Sequence, residues 1–398
     1  MPRIPLPAFT EPLDLELPEG TLVTECHGPA GETGNAAARL VTAAVGSPGH
    51  GPPLGAHVVP GDRVMIAVAG NIPEPVAVLE ALTACLHDAG VEPADIGVLR
   101  AAPLMRPSSQ EPACGPGEGL FDPSIESATA YLAADADARP LYLARQLVDA
   151  DVVVAVGGFG WDASLGGRSP EGELWPSFGR SQNREQFAAA LARRGRGGLL
   201  DWRAALHDIT WQLGVGASLR LVAGRSGSLH AAVFGLPEEA TRLAREASAA
   251  WRPLVEEPAD LTVATLSGEA TSLSAAVRAI AAAARITHPE GTICLVGSVN
   301  EPPGIVLTRW RQGAPLGPLL KEALGSRDPA LMADAAVTRQ FARALGDRRL
   351  VLWCGLDEAV VEDLGFGHAA ELAVVERLAA RADHVVVLHE ADRMLPRH

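Results

Sequence analysis

A chain of 398 residues with 47% hydrophobic content carries enough apolar material for two units of ordinary size, each with its own core. Its formal net charge of −15 argues against a nonspecific grip on nucleic acid or an acidic membrane, because either needs a cationic face. No uncharged apolar run approaches the roughly 18–20 residues that a bilayer requires.

The first segment, MPRIPLPAFTEPLDLELPEG, has proline and acid where a signal peptide needs an apolar stretch, so a cytoplasmic location is expected. From there short apolar runs alternate with amphipathic stretches. Strands are predicted at 64–69, 96–99, 152–156, 219–223, 261–266, 293–296, 350–353 and 385–388. Helices are predicted at 74–89, 182–194, 202–213, 238–250, 273–284, 329–345 and 369–382. Continuous β-branched runs separated by helices imply an α/β fold with parallel sheets buried on both faces. The segment WRPLVEEP at 251–258, with two prolines between a helix and a new strand, is the natural boundary. It divides the chain into units at 1–251 and 260–390, each built on a parallel sheet. Residues 101–124, dense in Pro, Gly and Ser, form a loop long enough to be functional or mobile.

Several chemistries lack the residue pattern they need. Cys26, Cys85, Cys114, Cys294 and Cys354 are scattered with no C-x-x-C pair, so neither a zinc knuckle nor a disulfide framework is expected. Cys85, Cys294 and Cys354 lie in apolar segments and read as small buried hydrophobes, and Cys114 as a free thiol in a loop. The histidines show no H-E-x-x-H or i,i+4 pairing, and no metal site is expected. His207-Asp208 on a helix point in different directions and make no dyad. Arg193-Arg194-Gly195-Arg196 reads as a solvated helix end, where positive charge suits the helix dipole. Gly158-Phe159-Gly160-Trp161-Asp162-Ala163 spells G-x-G-x-x-A after a strand. Gly166, Gly167 and Pro170 deny it the helix whose N-terminus would hold a pyrophosphate, so no dinucleotide is expected.

The stretch DVVVAVGGFGWDASLGGRSPEGELWPSFGRSQNREQFA at 151–188 is the most informative. A buried strand enters a glycine-rich turn and a loop that closes on Leu174-Trp175-Pro176. This resembles the core motif of the nickel-pincer lactate racemase family, in which a similar strand is followed by His, then Gly-x-Ser-Gly-Gly-Ala-Lys and a Leu-Pro-Gly turn. Further pieces are similar in order and spacing: Ala36–Gly46 with Ser47, Gly61-Asp62-Arg63-Val64, Ala89-Gly90-Val91 before Asp95-Ile96, Pro289-Glu290-Gly291-Thr292-Ile293, and Glu301 with Gly304.

The family's chemical residues are missing. Its tether lysine falls on Gly172, and Lys321 is the one lysine of the chain. Its histidines fall on Asp162, Met105 and near Ala188, and the arginine of its "D-x-T-R-P" on Pro73. The resemblance implies two parallel-sheet α/β bodies facing across a cleft but no nickel-pincer cofactor, so no cofactor is expected. In the family's "Y-Q-x-x-K" the lysine corresponds to Arg278, which the resemblance makes the candidate substrate cation.

Two readings remain open. One is a cleft that binds a small hydroxycarboxylate through Arg278, walled by the indoles of Trp161 and Trp175. The other is a racemase, epimerase, isomerase or lyase with a different acid–base set, Asp162, Glu171 and Glu173. The two glutamates, two apart in an extended loop, are expected to face the same side as a carboxylate pair. A solvated acidic loop is the competing reading of that segment.

Overall fold

A computed structural model describes residues 3–6, 13–49, 51–104, 118–134, 140–268, 270–326 and 328–398. Two six-stranded sheets organise them. The first runs Leu229–Gly235, Ala217–Ala223, Val152–Phe159, Val64–Ala69, Ile96–Ala101, Glu118–Phe121. All neighbours are parallel except the outer pair Ala217–Ala223 and Leu229–Gly235. The second runs Gly367–His368, Arg349–Trp353, Thr287–Val296, Ala259–Thr265, His384–Leu388, Leu22–Cys26, parallel throughout. Strands 152–159 and 287–296 therefore belong to different sheets, and the α/β class with parallel sheets holds.

The side-chain period of two explains why these strands are apolar at every position. In the first sheet Val64, Ile66, Val68, Val154 and Val156 face a cluster under helices Gly34–Gly46 and Pro75–Asp88. Their alternates Ala67, Ala69, Val153 and Ala155 face the other layer, with Trp175, Phe187, Leu191 and Trp202. In the second sheet Leu261, Val263, Cys294, Val296, Val385 and Val387 face the hairpin Arg3–Leu6/Leu13–Glu16 and helix Leu372–Ala379. Ala264, Ile293, Leu295, Val386 and Leu388 face helix Leu273–Ala284. That helix is alanine-rich and buried on most sides, which lets it lie close between layers.

Three features differ from the sequence reading. Leu22–Cys26 pairs with His384–Leu388 and so extends the second sheet, although it precedes residue 251. A five-residue edge strand of mixed polarity gives too short a period-two signal to place from sequence. Helices Ile305–Arg311 and Leu316–Gly325 were also not foreseen; Val306, Leu319 and Ala335 bury against the first body's Phe187 and Leu191. The 251–258 segment is stitched down rather than loose. Trp251 and Val255 are buried, and backbone bonds join Leu395 to Trp251, Val255 to Arg397 and Arg397 to Pro253.

Other readings fit what is described. Arg193 and Arg194 are exposed at the end of helix Ser181–Arg194. Cys294 is buried and its thiol is pushed up to about 12, while Cys85 and Cys354 are half-buried. Met105, Cys114 and most of the 101–124 loop lie outside the described residues. Among the described residues no helix is long and apolar enough to cross a membrane.

The seam between the two sheets makes a steric demand at Gly28, where a Cβ would collide with the Trp251 indole. Gly28→Ala is expected to lower unfolding free energy by about 1–3 kcal/mol through overpacking. Gly46→Ala, at a helix end with open space around it, should cost nothing measurable. Equal urea midpoints for the two variants would contradict this packing of the seam.

Candidate functional site

Both sheets turn the carboxyl ends of their strands toward one cavity of about 460 Å³, the place where open parallel sheets ordinarily bind ligands. From the first sheet come Asn71 to Val76 after strand Val64–Ala69, Gly158 to Trp161, and Ser226-Gly227 after Ala217–Ala223. From the second come Ser267 after Ala259–Thr265, Asp392-Arg393 after His384–Leu388, and Ser272, Ser274, Ala275 and Arg278 of the alanine-rich helix.

The backbone around this cavity is strained in a telling way. Among the described residues, the non-glycine positions with left-handed backbone are Glu74 (φ 49°), Ser226 (φ 56°) and Glu390 (φ 55°). Glu74 and Ser226 line the cavity, and Glu390 accepts the Ser226 amide at 2.7 Å. Such strain costs of order 1–3 kcal/mol per residue and clusters at functional sites. No sequence pattern marked these three.

The loop after strand Val152–Phe159 folds back as a short hairpin, with Trp161-Asp162 paired to Gly167-Arg168. No helix opens there. The loop then lies flat on the strand end. A Cβ on Gly172 would collide with the Gly158 carbonyl oxygen and stand 2.7 Å from its amide nitrogen; one on Gly157 would collide with Gly172 itself. Glycine at 157 and 172 is thus a condition for this backbone-on-backbone contact, and Gly172 has φ 83°.

That turn separates the glutamates. Glu173 is 3% exposed and clamped by Arg168 at 2.7 Å and Arg220 at 2.5 Å; Arg220 also donates to the Gly172 carbonyl at 2.7 Å. Burial pulls the Arg168 guanidinium down from its ordinary value, with Glu173 opposing the shift. Glu171 instead lines the cavity, half-buried, and accepts the Leu104 amide at 3.1 Å. The expected Glu171–Glu173 pair is therefore not formed, because positive φ at Gly172 breaks the alternation of an extended chain.

Asp162 is also committed. Its Oδ1 accepts Ser164 Oγ at 2.5 Å and the Leu165 amide at 3.1 Å, a turn-closing role, and it does not line the cavity. Trp161 does form cavity wall, with its Nε1 donating to Ser248 and Arg252 over its ring at 4.7 Å. Trp175 does not. It is buried in the layer under the sheet, its carbonyl accepting Trp202 Nε1 at 2.8 Å.

Arg278 is the charged residue of helix Leu273–Ala284 and reaches the cavity half-buried. Among the described residues it makes no hydrogen bond or ion pair, whereas the other charged lining groups are engaged. Glu74 accepts the Gly34 amide at 2.8 Å, Asp392 accepts the Ser267 amide and hydroxyl, and Arg393 meets Glu390 at 3.5 Å. The helix N-terminus beside it is served by the Ser272 cap and by Glu301, which accepts the Leu273 amide at 2.7 Å. Burial lowers the nearby Arg184 guanidinium, with Glu171 opposing, and Arg184 donates to the carbonyls of Ala102 and Pro103. The site thus presents one uncommitted cation, the engaged carboxylates of Glu74, Glu171 and Asp392, several hydroxyls and two indoles.

No protein-family model and no curated protein matches this sequence. Solved structures do. The lactate racemase apoprotein from Thermoanaerobacterium thermosaccharolyticum superposes with a TM-score of 0.75 over 100% of both chains at 14% identity. A structural-genomics protein from Thermotoga maritima gives 0.60 at 11% identity, covering 91% of this chain and 97% of its own. The chain therefore has a lactate-racemase-like α/β fold, full length for full length.

The two glutamates should respond differently to mutation. Glu173→Ala leaves two buried arginines without their counter-charge and is expected to cost at least about 3 kcal/mol of stability. Glu171→Gln keeps its acceptor for Leu104 and should stay within about 1 kcal/mol of the parent. Chemical denaturation decides this, and comparable losses at both positions would overturn the division of roles.

Proposed function

We propose that this chain keeps the racemase-like cleft as a binding site for a small carboxylate, with a hydroxyl-bearing acid as the natural fit, and does so without nickel-pincer chemistry. The observation that carries the reading is Arg278, an uncommitted guanidinium on the wall of a cavity whose other charges are satisfied. A buried or half-buried cation without a partner calls for an anion, and a planar fork holds a carboxylate by two parallel bonds. Ser226 offers a hydroxyl partner for the rest of a polar ligand, and Trp161 and Trp251 an apolar wall.

The pincer cofactor does not fit the residues present. Covalent attachment needs an amine at 172, where even a Cβ has no room beside Gly158. Asp162 holds Ser164 and Leu165 through one carboxylate oxygen and does not line the cavity, and neither Pro73 nor Ala188 can ligate nickel or carry a proton. The competing acid–base reading loses two of its three groups to structural roles. Glu171 alone of the set faces the cavity, and one carboxylate cannot serve both faces of a substrate carbon.

Purified chain, expressed with the proteins that make and insert the pincer cofactor, should not interconvert the lactate enantiomers. Gly172→Lys should not restore the reaction and is expected to cost about 2–3 kcal/mol or more of stability, through positive φ and the clash with strand Val152–Phe159. Lactate racemisation by the unmodified chain would refute the reading.

A panel of small 2-hydroxy acids should contain members that raise the melting temperature by a few degrees near saturation. Arg278→Ala should weaken their binding roughly ten- to hundred-fold, the loss of a charge-assisted hydrogen bond worth about 1.5–3 kcal/mol. Stabilisation that persists in the variant, or none in the parent, would remove the carboxylate role.

A further inference from the structure

A second constellation lies outside this cavity, where the first and last strands of the chain end side by side. Leu22–Cys26 and His384–Leu388 are parallel neighbours with Leu388 opposite Cys26, and the His389 amide donates to the Cys26 carbonyl at 3.0 Å. The ladder carried one residue further sets His27 beside His389, and their rings stack 4.1 Å apart at an interplanar angle of 11°. Glu25, two residues before His27, falls on the same side of the extended chain. Cys26 between them faces the apolar layer with Trp251 and takes no part.

The three side chains converge on one point. His389 Nε2 lies 2.8 Å and His27 Nε2 2.9 Å from the same oxygen, Glu25 Oε1. All three donor atoms lie within 4.8 Å of one another. We propose that Glu25, His27 and His389 form a binding site for a zinc-type divalent cation, with a fourth position open to solvent.

Two imidazoles and one carboxylate are the donor set of zinc sites that keep a position for water or another ligand. A tetrahedral ion with bonds of about 2.0–2.1 Å holds its ligand atoms roughly 3.3–3.4 Å apart. The Glu25 carboxylate therefore has to withdraw by about half an ångström, and its side chain, 33% exposed, has room to do so. His27 is also open to solvent at 37%, which leaves an entry path, while His389 at 7% is held by its strand. Without a cation, one carboxylate oxygen has to serve two stacked imidazole N–H groups. A metal ion lets both rings act as lone-pair donors and takes up the negative charge of the carboxylate as well.

The position gives the ion a structural consequence. It would join residue 25 to residue 389, closing nearly the whole chain. The adjacent Glu390 holds the Ser226 amide on the cavity rim, so the site braces one wall of the cleft.

Untagged full-length protein, stripped with a chelator, is titrated with Zn²⁺ by calorimetry and with Co²⁺ by visible spectroscopy. The expected result is one equivalent per chain, a Co²⁺ spectrum of low coordination number without a thiolate charge-transfer band, and a higher melting temperature when loaded. Glu25→Gln and His27→Ala, both at solvent-facing positions, should each weaken Zn²⁺ at least tenfold while the metal-free melting temperature stays within a few degrees of the parent. His389→Ala should do the same but is buried, so the first two variants carry the test. Absence of stoichiometric binding, a thiolate band, or unchanged affinity in the Glu25→Gln/His27→Ala double variant would overturn the proposal.

Discussion

The clamp of Glu173 between Arg168 and Arg220 decides what this cleft is. A carboxylate removed from water needs its partners in place, and the two guanidiniums supply them from a hairpin and from the neighbouring strand. Because Arg220 also holds the Gly172 carbonyl, the loop is drawn down until its backbone rests on Gly157 and Gly158. That contact fills the place where a side chain at 172 would have to stand. It also turns Glu171 the other way, into the cavity. The loop therefore serves as a fixed wall with one carboxylate.

The rest of the site follows from parallel sheets seen end-on. Strands buried on both faces have only their ends free for chemistry, and here the carboxyl ends of two sheets meet. The strained residues Glu74, Ser226 and Glu390 sit in the turns that leave those ends, where the surrounding bonds hold them. Opposite them the alanine-rich helix brings its single arginine to the cavity wall.

The parallel strands and their order of alternation with helices were legible because buried strands are apolar at every residue, a signal that survives without context. Strand 22–26 was not, since its assignment to the far sheet depends on pairing with residues 384–388. Of the residues that the sequence singles out, Arg278, Glu171 and Trp161 line the cavity, whereas Glu173, Asp162 and Trp175 do not. For the glutamates the cause is local, while Asp162 is taken up by its own turn and Trp175 by the layer under the sheet. Even spacing puts residues on one side only while the chain stays extended, and Gly172 at φ 83° ends that condition. The Glu25–His27–His389 group escaped because spacing rules look along a segment, and this one is made by the two ends of the chain meeting in a ladder.

The central claim is that the cleft holds an organic anion on Arg278. Diffraction from crystals of the full chain grown with a small 2-hydroxy acid tests it most directly. The account predicts both carboxylate oxygens within hydrogen-bonding distance of the Arg278 guanidinium, beneath Trp161 and facing Glu171. A ligand seated elsewhere, or an Arg278 turned to a protein partner with the cavity empty at saturating ligand, would contradict it.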